Sequence, residues 1–242
     1  LALVRLLVQS GDAKRALSLS QEAAVTAPDE PAVLDLLGRS QVAAGEMQQA
    51  LATYGKLAAR VPSSPIPLIA MADLMMSSKD TAGAEQNLRK ALAIKPDSLE
   101  AQQRLVAILL NDKRGDAAIA IAKDVQRQRK DSSIGYILEA ESLLSIGKRP
   151  EAVKVYEEAY RREKSAASIL RLHNAHLAAN QPQEAAKLAA DWIKANPKDL
   201  TVRTYLAERS LAEQKYDQAV QQYRQMQEIA PKNPMVLNNL AW

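Results

Sequence analysis

Two imidazoles stand one helical turn apart in His173-Asn174-Ala175-His176, and histidines spaced i, i+3 can share a metal ion. No third ligand accompanies them, and both are expected to face a paired helix as packed, hydrogen-bonded side chains. No metal site is predicted. The basic stretch Lys123-Asp124-Val125-Gln126-Arg127-Gln128-Arg129-Lys130 could meet phosphates, but cations near a helix C-terminus already complement its dipole. Stacking aromatics, which a nucleic-acid surface needs, do not interleave with it. No nucleic acid is expected as a partner. Glu157-Glu158 and the Glu139/Glu141 pair bring carboxylates together at helical spacing, without the acid–base set that glycoside hydrolysis requires.

Composition narrows the chemistry further. With Cys 0, thiol catalysis, iron–sulfur clusters and cysteine-ligated zinc are excluded at once. Two His in 242 residues leave little for a Ser–His triad, and eight Gly leave little for phosphate-cradling loops. No catalytic residue and no cofactor are predicted, and the chain does not read as an enzyme. Its formal net charge of +4 is weakly basic for this length. No run of 18 apolar residues spans a membrane.

What the sequence does carry is self-similarity. Pro28, Pro62 and Pro96 are 34 residues apart, as are Pro197 and Pro231. Gly11, Gly45 and Gly147 share a second column, filled elsewhere by Lys79, Lys113, Asn180 and Gln214. Ala16, Ala50, Ala84, Ala118, Ala152, Ala185 and Ala219 form a third, with one interval of 33. Tyr54, Tyr156 and Tyr223 each follow their Ala by four residues. Leu3, Leu37, Met71, Leu105, Leu172, Leu206 and Leu240 form an apolar column, broken by Glu139.

Apolar spacing of three and four predicts two helices per unit. The Gly column lies between them, where a helix end favours a residue tolerant of positive φ. The Pro column closes the second helix, and an Asp or Ser after it can cap the next.

A 34-residue helix–turn–helix with these columns resembles the tetratricopeptide repeat, over the whole chain. The resemblance implies an all-α fold, a right-handed superhelical solenoid of stacked helix pairs. The array is divided as residues 1–30 (partial), 31–64, 65–98, 99–132, 133–165, 166–199, 200–233 and 234–242 (partial). The Trp usual at position 4 is replaced by Leu34, Leu68, Gln102, Tyr136, Ile169, Arg203 and Leu237. Small residues at positions 8 and 20 let paired helices approach closely. His173, at position 8, departs from that rule and is expected to widen its helix pair or to be accommodated by Ala189 opposite. Apolar residues at both ends, Leu1, Leu3, Val4 and Leu7, then Leu237 and Leu240, lack a polar cap. The segment is therefore expected to belong to a longer array, or to self-associate through those ends.

In this family, positions 2, 5, 6, 9, 12 and 13 face a concave groove. The partner-binding residues implied are Asp35 and Arg39 in one repeat, then Ile66, Ile69 and Asp73, then Gln103 and Arg104. They continue with Ile134, Ile137 and Glu141, then Leu170, Arg171 and Asn174, and last Thr204, Tyr205 and Glu208. An extended peptide or an amphipathic helix suits such a mixed surface with an apolar floor. Leucines at position 12 also suit packing between neighbouring repeats. A known sub-family clamps a terminal carboxylate with Lys at position 5, and no Lys occurs in that column here.

A narrower resemblance rests on particular phrases. Gly135-Tyr136-Ile137-Leu138-Glu139 leads to Gly147-Lys148 and Glu151-Ala152. Ile169-Leu170-Arg171-Leu172-His173 follows, then Asp191-Trp192 before Asn196-Pro197, and Leu237-Asn238-Asn239-Leu240-Ala241-Trp242. Together these are similar to the C-terminal repeats of the PEP-CTERM system tetratricopeptide lipoproteins. That implies a non-catalytic protein–protein interaction scaffold in bacterial exopolysaccharide or surface-protein export. It also implies a periplasmic location and an outer-membrane lipid anchor outside this segment. Two alternatives remain open, the periplasmic repeat region of a cellulose-type export protein and the regulatory repeat region of a larger enzyme.

Overall fold

The computed structural model describes residues 1–240, so the Ala241-Trp242 end of the last partial repeat lies outside the described residues. The described chain is helical, and it divides into two compact units, Leu1–Gln128 and Arg129–Trp242. The first holds α1 (Ala2–Gln9), α2 (Ala13–Thr26), α3 (Pro31–Ala43), α4 (Met47–Arg60), α5 (Ile66–Ser77), α6 (Thr81–Ile94), α7 (Leu99–Asn111) and α8 (Gly115–Gln128). The second holds α9 (Ile134–Ser145), α10 (Arg149–Arg162), α11 (Ala166–Ala178), α12 (Pro182–Ala195), α13 (Leu200–Ala212), α14 (Tyr216–Ile229) and α15 (Pro234–Leu240). Within each unit every helix packs on the next in chain order. First helices of the repeats begin within one residue of positions 31, 65, 99, 133, 166, 200 and 234.

One turn recurs seven times between paired helices. In the second repeat the Glu46 amide donates to the Gln41 carbonyl at 2.8 Å and the Gly45 amide to Val42 at 3.0 Å. This is the double bond of a Schellman cap, which satisfies carbonyls left open at a helix C-terminus. Its central residue must be left-handed. All seven members of the predicted Gly column are so, from Lys113 at φ 59 to Gly45 at φ 81. A Cβ added at Gly11, Gly45 or Gly147 meets nothing within 4 Å, so backbone conformation and not crowding selects glycine there. Lys79, Lys113 and Gln214 hold the same conformation with a Cβ, at φ 64, 59 and 60. Each of Lys79→Gly, Lys113→Gly and Gln214→Gly is expected to raise stability by about 0.5–1 kcal/mol. Asn180→Gly should do less, because Asn tolerates this region. Urea unfolding checks both, and a loss of stability in all three of the first set would refute the account.

The second helices end at their caps one residue before Pro28, Pro62, Pro96, Pro197 and Pro231. Asp199 then does two jobs with one carboxylate. Its Oδ1 accepts from the Thr201 amide at 2.7 Å, capping α13, and its Oδ2 accepts from the Trp192 indole N–H at 2.6 Å. Trp192 is thereby oriented over Ile169 and Val202 in a cluster that ties α11, α12 and α13.

The core is a seam in each unit. All seven alanines of the position-20 column are buried, none more than 1% exposed. Position 8 and position 24, which face each other across a helix pair, trade volume. Gly38, Ala140 and Ala207 stand where Tyr54, Tyr156 and Tyr223 need room, whereas His173 stands in the pair that has Ala189. The exchange is tightest at Gly38, where an added Cβ would come within 2.8 Å of the Tyr54 ring. Polar residues in the usual Trp column are buried with partners. Gln102 donates to the Pro96 carbonyl at 3.0 Å, and Arg203 donates to Gln225 at 2.7 Å.

Candidate functional site

In the N-terminal unit the first helices α1, α3 and α5 leave a groove with two adjoining cavities. The larger, about 410 Å³, is an apolar hole lined by Val8, Val42, Ala43, Met47, Ala70 and Leu74, with Arg39, Asp73, Ser77 and Tyr54 around it. The smaller, about 290 Å³, shares Val8 and Arg39 with it and adds Arg5, Gln9, Asp35 and Leu36. Asp35, Arg39 and Asp73 are the lining residues that the repeat register predicts. Tyr54 is not among them. Its ring passes over Gly38, so a core-column tyrosine reaches the groove and lines the hole. The signal was present as Gly at position 8 opposite Tyr at position 24.

The charges around the hole are largely engaged with each other. Arg39 Nε donates to both Asp35 oxygens, at 3.0 and 2.9 Å, an i, i+4 pair on α3. Arg104 on α7 reaches back to α5 and grips Asp73 with two bonds, Nε to Oδ1 at 2.6 Å and Nη2 to Oδ2 at 2.9 Å. Burial, reinforced by Asp35, pushes the Tyr54 phenol up to about 12, so it is a donor at neutral pH.

The Arg104–Asp73 pair joins position 6 of one repeat to position 9 of the repeat before. The C-terminal unit repeats that link with other chemistry. Arg171 approaches Glu141 at 4.0 Å, and the Tyr205 hydroxyl donates to Asn174 at 2.7 Å. Burial pushes the Glu141 carboxyl above its ordinary range, with Arg171 opposing. Much of the predicted groove surface therefore bonds repeat to repeat.

The remaining predicted residues divide by exposure. Ile66, Gln103 and Glu208 are exposed, and Ile134 is half-buried. Ile137 packs beside the Ala140–Tyr156 cluster, and Leu170 beside Trp192. Thr204 turns its hydroxyl to Met226 on α14. Ile69 is only 4% exposed and belongs to the core, because position 5 of α5 tips into the helix seam.

The two histidines do not converge on a common point. His173 Nδ1 lies 2.9 Å from the Tyr205 hydroxyl, and His176 Nδ1 lies 2.8 Å from Gln181 Oε1. Since the Tyr205 proton is directed to Asn174, the His173 Nδ1–H is the donor in the first contact. Among the described residues no group of three metal-ligating side chains gathers, and no helix is long and apolar enough to cross a membrane.

Paired helices on a 34-residue period, with a left-handed turn and an Ala seam, define a helical-repeat scaffold. The chain belongs to the tetratricopeptide repeat family. One model of that description matches residues 1–65 and 170–234, and a second matches 75–141. No curated protein matches the chain in sequence. Among solved structures it is similar to the C-terminal part of a tetratricopeptide repeat-containing protein from Cytophaga hutchinsonii. That likeness has 11% identity and TM-score 0.67, covering 99% of this chain and 98% of the other. It is similar to a tetratricopeptide repeat protein from Parabacteroides merdae at 14% identity and TM-score 0.66, covering 99% and 95%. MamA from Desulfovibrio magneticus RS-1 is similar at 16% identity and TM-score 0.58, covering 71% and 98%. These likenesses concern the fold.

Proposed function

We propose that this protein is a non-catalytic interaction scaffold that holds an extended peptide or an amphipathic helix of a partner protein in the groove of its N-terminal unit. One observation carries the reading, the open apolar hole between α1, α3 and α5 with polar groups at its rim. A closed core would have filled it. Tetratricopeptide arrays are interaction scaffolds as a family, which supports the same reading. The phrase-level similarity to PEP-CTERM system lipoproteins supports a setting in bacterial exopolysaccharide or surface-protein export. That setting is periplasmic, with the chain held at the outer membrane by a lipid on a distant Cys.

A photo-crosslinking residue at Ser77, on the rim of the hole, tests the groove in cells of the source organism. A discrete protein adduct from Ser77, and none from the same residue at exposed Gln86 on α6, is the expected result. Equal labelling from both positions would remove the groove from the reading. Metabolic labelling of the full-length protein with a palmitate analogue tests the anchor separately.

A further inference from the structure

The groove of the N-terminal unit holds an imbalance of hydrogen-bonding capacity. Its two carboxylates are occupied, Asp35 by Arg39 Nε and Asp73 by Arg104. Its donors are not. Arg5, exposed on α1, has no ion pair among the described residues, and Arg39, which lines both cavities, bonds through Nε alone, with no partner at its terminal nitrogens among the described residues. Tyr54 is the sharper case. The residue is 4% exposed, it lines the hole, and its hydroxyl has no hydrogen-bond partner among the described residues. The hydroxyl is not one of the fully buried, unpartnered polar atoms, so it meets solvent through the cavity, where a ligand acceptor can replace water. Next to these donors lies the apolar hole, a volume suited to an aliphatic side chain. Asp73, already held by Arg104, also lines the hole, and no Lys stands at position 5 to take a terminal carboxylate, so the carboxylate expected is a side chain's.

Resting on the peptide-binding reading above, we propose that this groove selects an extended segment in which an internal Asp or Glu lies next to an aliphatic residue. The carboxylate is received by Arg5, Arg39 and the Tyr54 hydroxyl. The aliphatic group enters the hole between Val42 and Ala70. Guanidinium and phenol donors complement a carboxylate with charge-assisted bonds, and the apolar contact adds affinity without direction.

Phage display of random dodecamers, held between fixed linkers and selected on the full chain, is the test. Sequences with Asp or Glu adjacent to Leu, Ile, Val or Met are expected to be enriched. A synthetic, end-capped version of the enriched sequence should bind with its affinity lowered about tenfold by Tyr54→Phe and about tenfold by Arg5→Glu. Arg5 is exposed and unpaired, so Arg5→Glu leaves the fold intact and keeps the test decisive if Tyr54→Phe disturbs the seam. Enriched sequences that lack a carboxylate, or that bind only with a free C-terminus, would overturn this selection rule and leave the groove reading standing. No enrichment at all would overturn both.

Discussion

Ala152→Leu is expected to destabilise the C-terminal unit by about 1–3 kcal/mol. Ala152 is 0% exposed on α10, against α9, at a position where all seven repeats hold Ala. Three added carbons there have no void to enter. They must push α10 from α9 or force Tyr156, one turn further along, out of the space that Ala140 leaves for it. Interiors packed to crystal-like density resist both. For a chain of this size the cost lowers the melting temperature by about 3–10 °C. Ala186→Leu, one residue beyond the same column and exposed on α12, makes the same change without meeting the seam and should stay within about 0.5 kcal/mol of wild type. Because repeat arrays open locally, amide exchange in α9 and α10 should rise more than elsewhere in the unit. Equal melts for Ala152→Leu and wild type would show that the column does not set the helix spacing.

The same column explains why so much of the fold was legible. A period of 34 residues ties every repeat to one local geometry, so Ala, Pro and left-handed positions could be assigned by alignment of the chain to itself. The Lys79, Lys113 and Gln214 turns show the strength of this constraint, since they adopt glycine's conformation without being glycine. The site was legible only as a set of faces. Register placed Arg39 and Asp73 on the groove, but Ile69, on the same nominal face, is buried, whereas Gln103 at the same position of the next repeat is exposed. Register also could not show that Arg104 would span to Asp73. That pairing depends on how neighbouring first helices stack, which is a tertiary quantity. Tyr54 was hidden for a third reason: its backbone lies in the second helix, and only the missing side chain of Gly38 lets its hydroxyl reach the other side.

Acidification is expected to weaken the C-terminal unit through His173. This imidazole takes the small-residue position of α11, is 5% exposed, and meets the Tyr205 ring edge-on at 5.3 Å between centroids. Burial lowers its pKa from 6.5 to about 4, helped by Arg209 and His176 and opposed by Glu213. Between those two values the unfolded chain binds a proton that the folded chain refuses. The contribution is therefore complete above pH 6.5, falls as the pH drops through this window, and is gone below about pH 4. The interval sets an upper bound of about 3 kcal/mol, and screening of the Arg209 and Glu213 charges by water brings the expected loss to about 1–3 kcal/mol. The carboxylates of the chain also titrate in this range, so the informative quantity is a difference. Urea unfolding of wild type and His173→Gln at pH 7.5 and pH 4.5 should show a steeper loss for wild type. His173→Gln keeps an N–H donor for the Tyr205 hydroxyl while removing the titration. Parallel losses in the two proteins would mean that His173 is protonated without cost in the fold, and that the space made by Ala189 admits enough water to solvate the imidazolium.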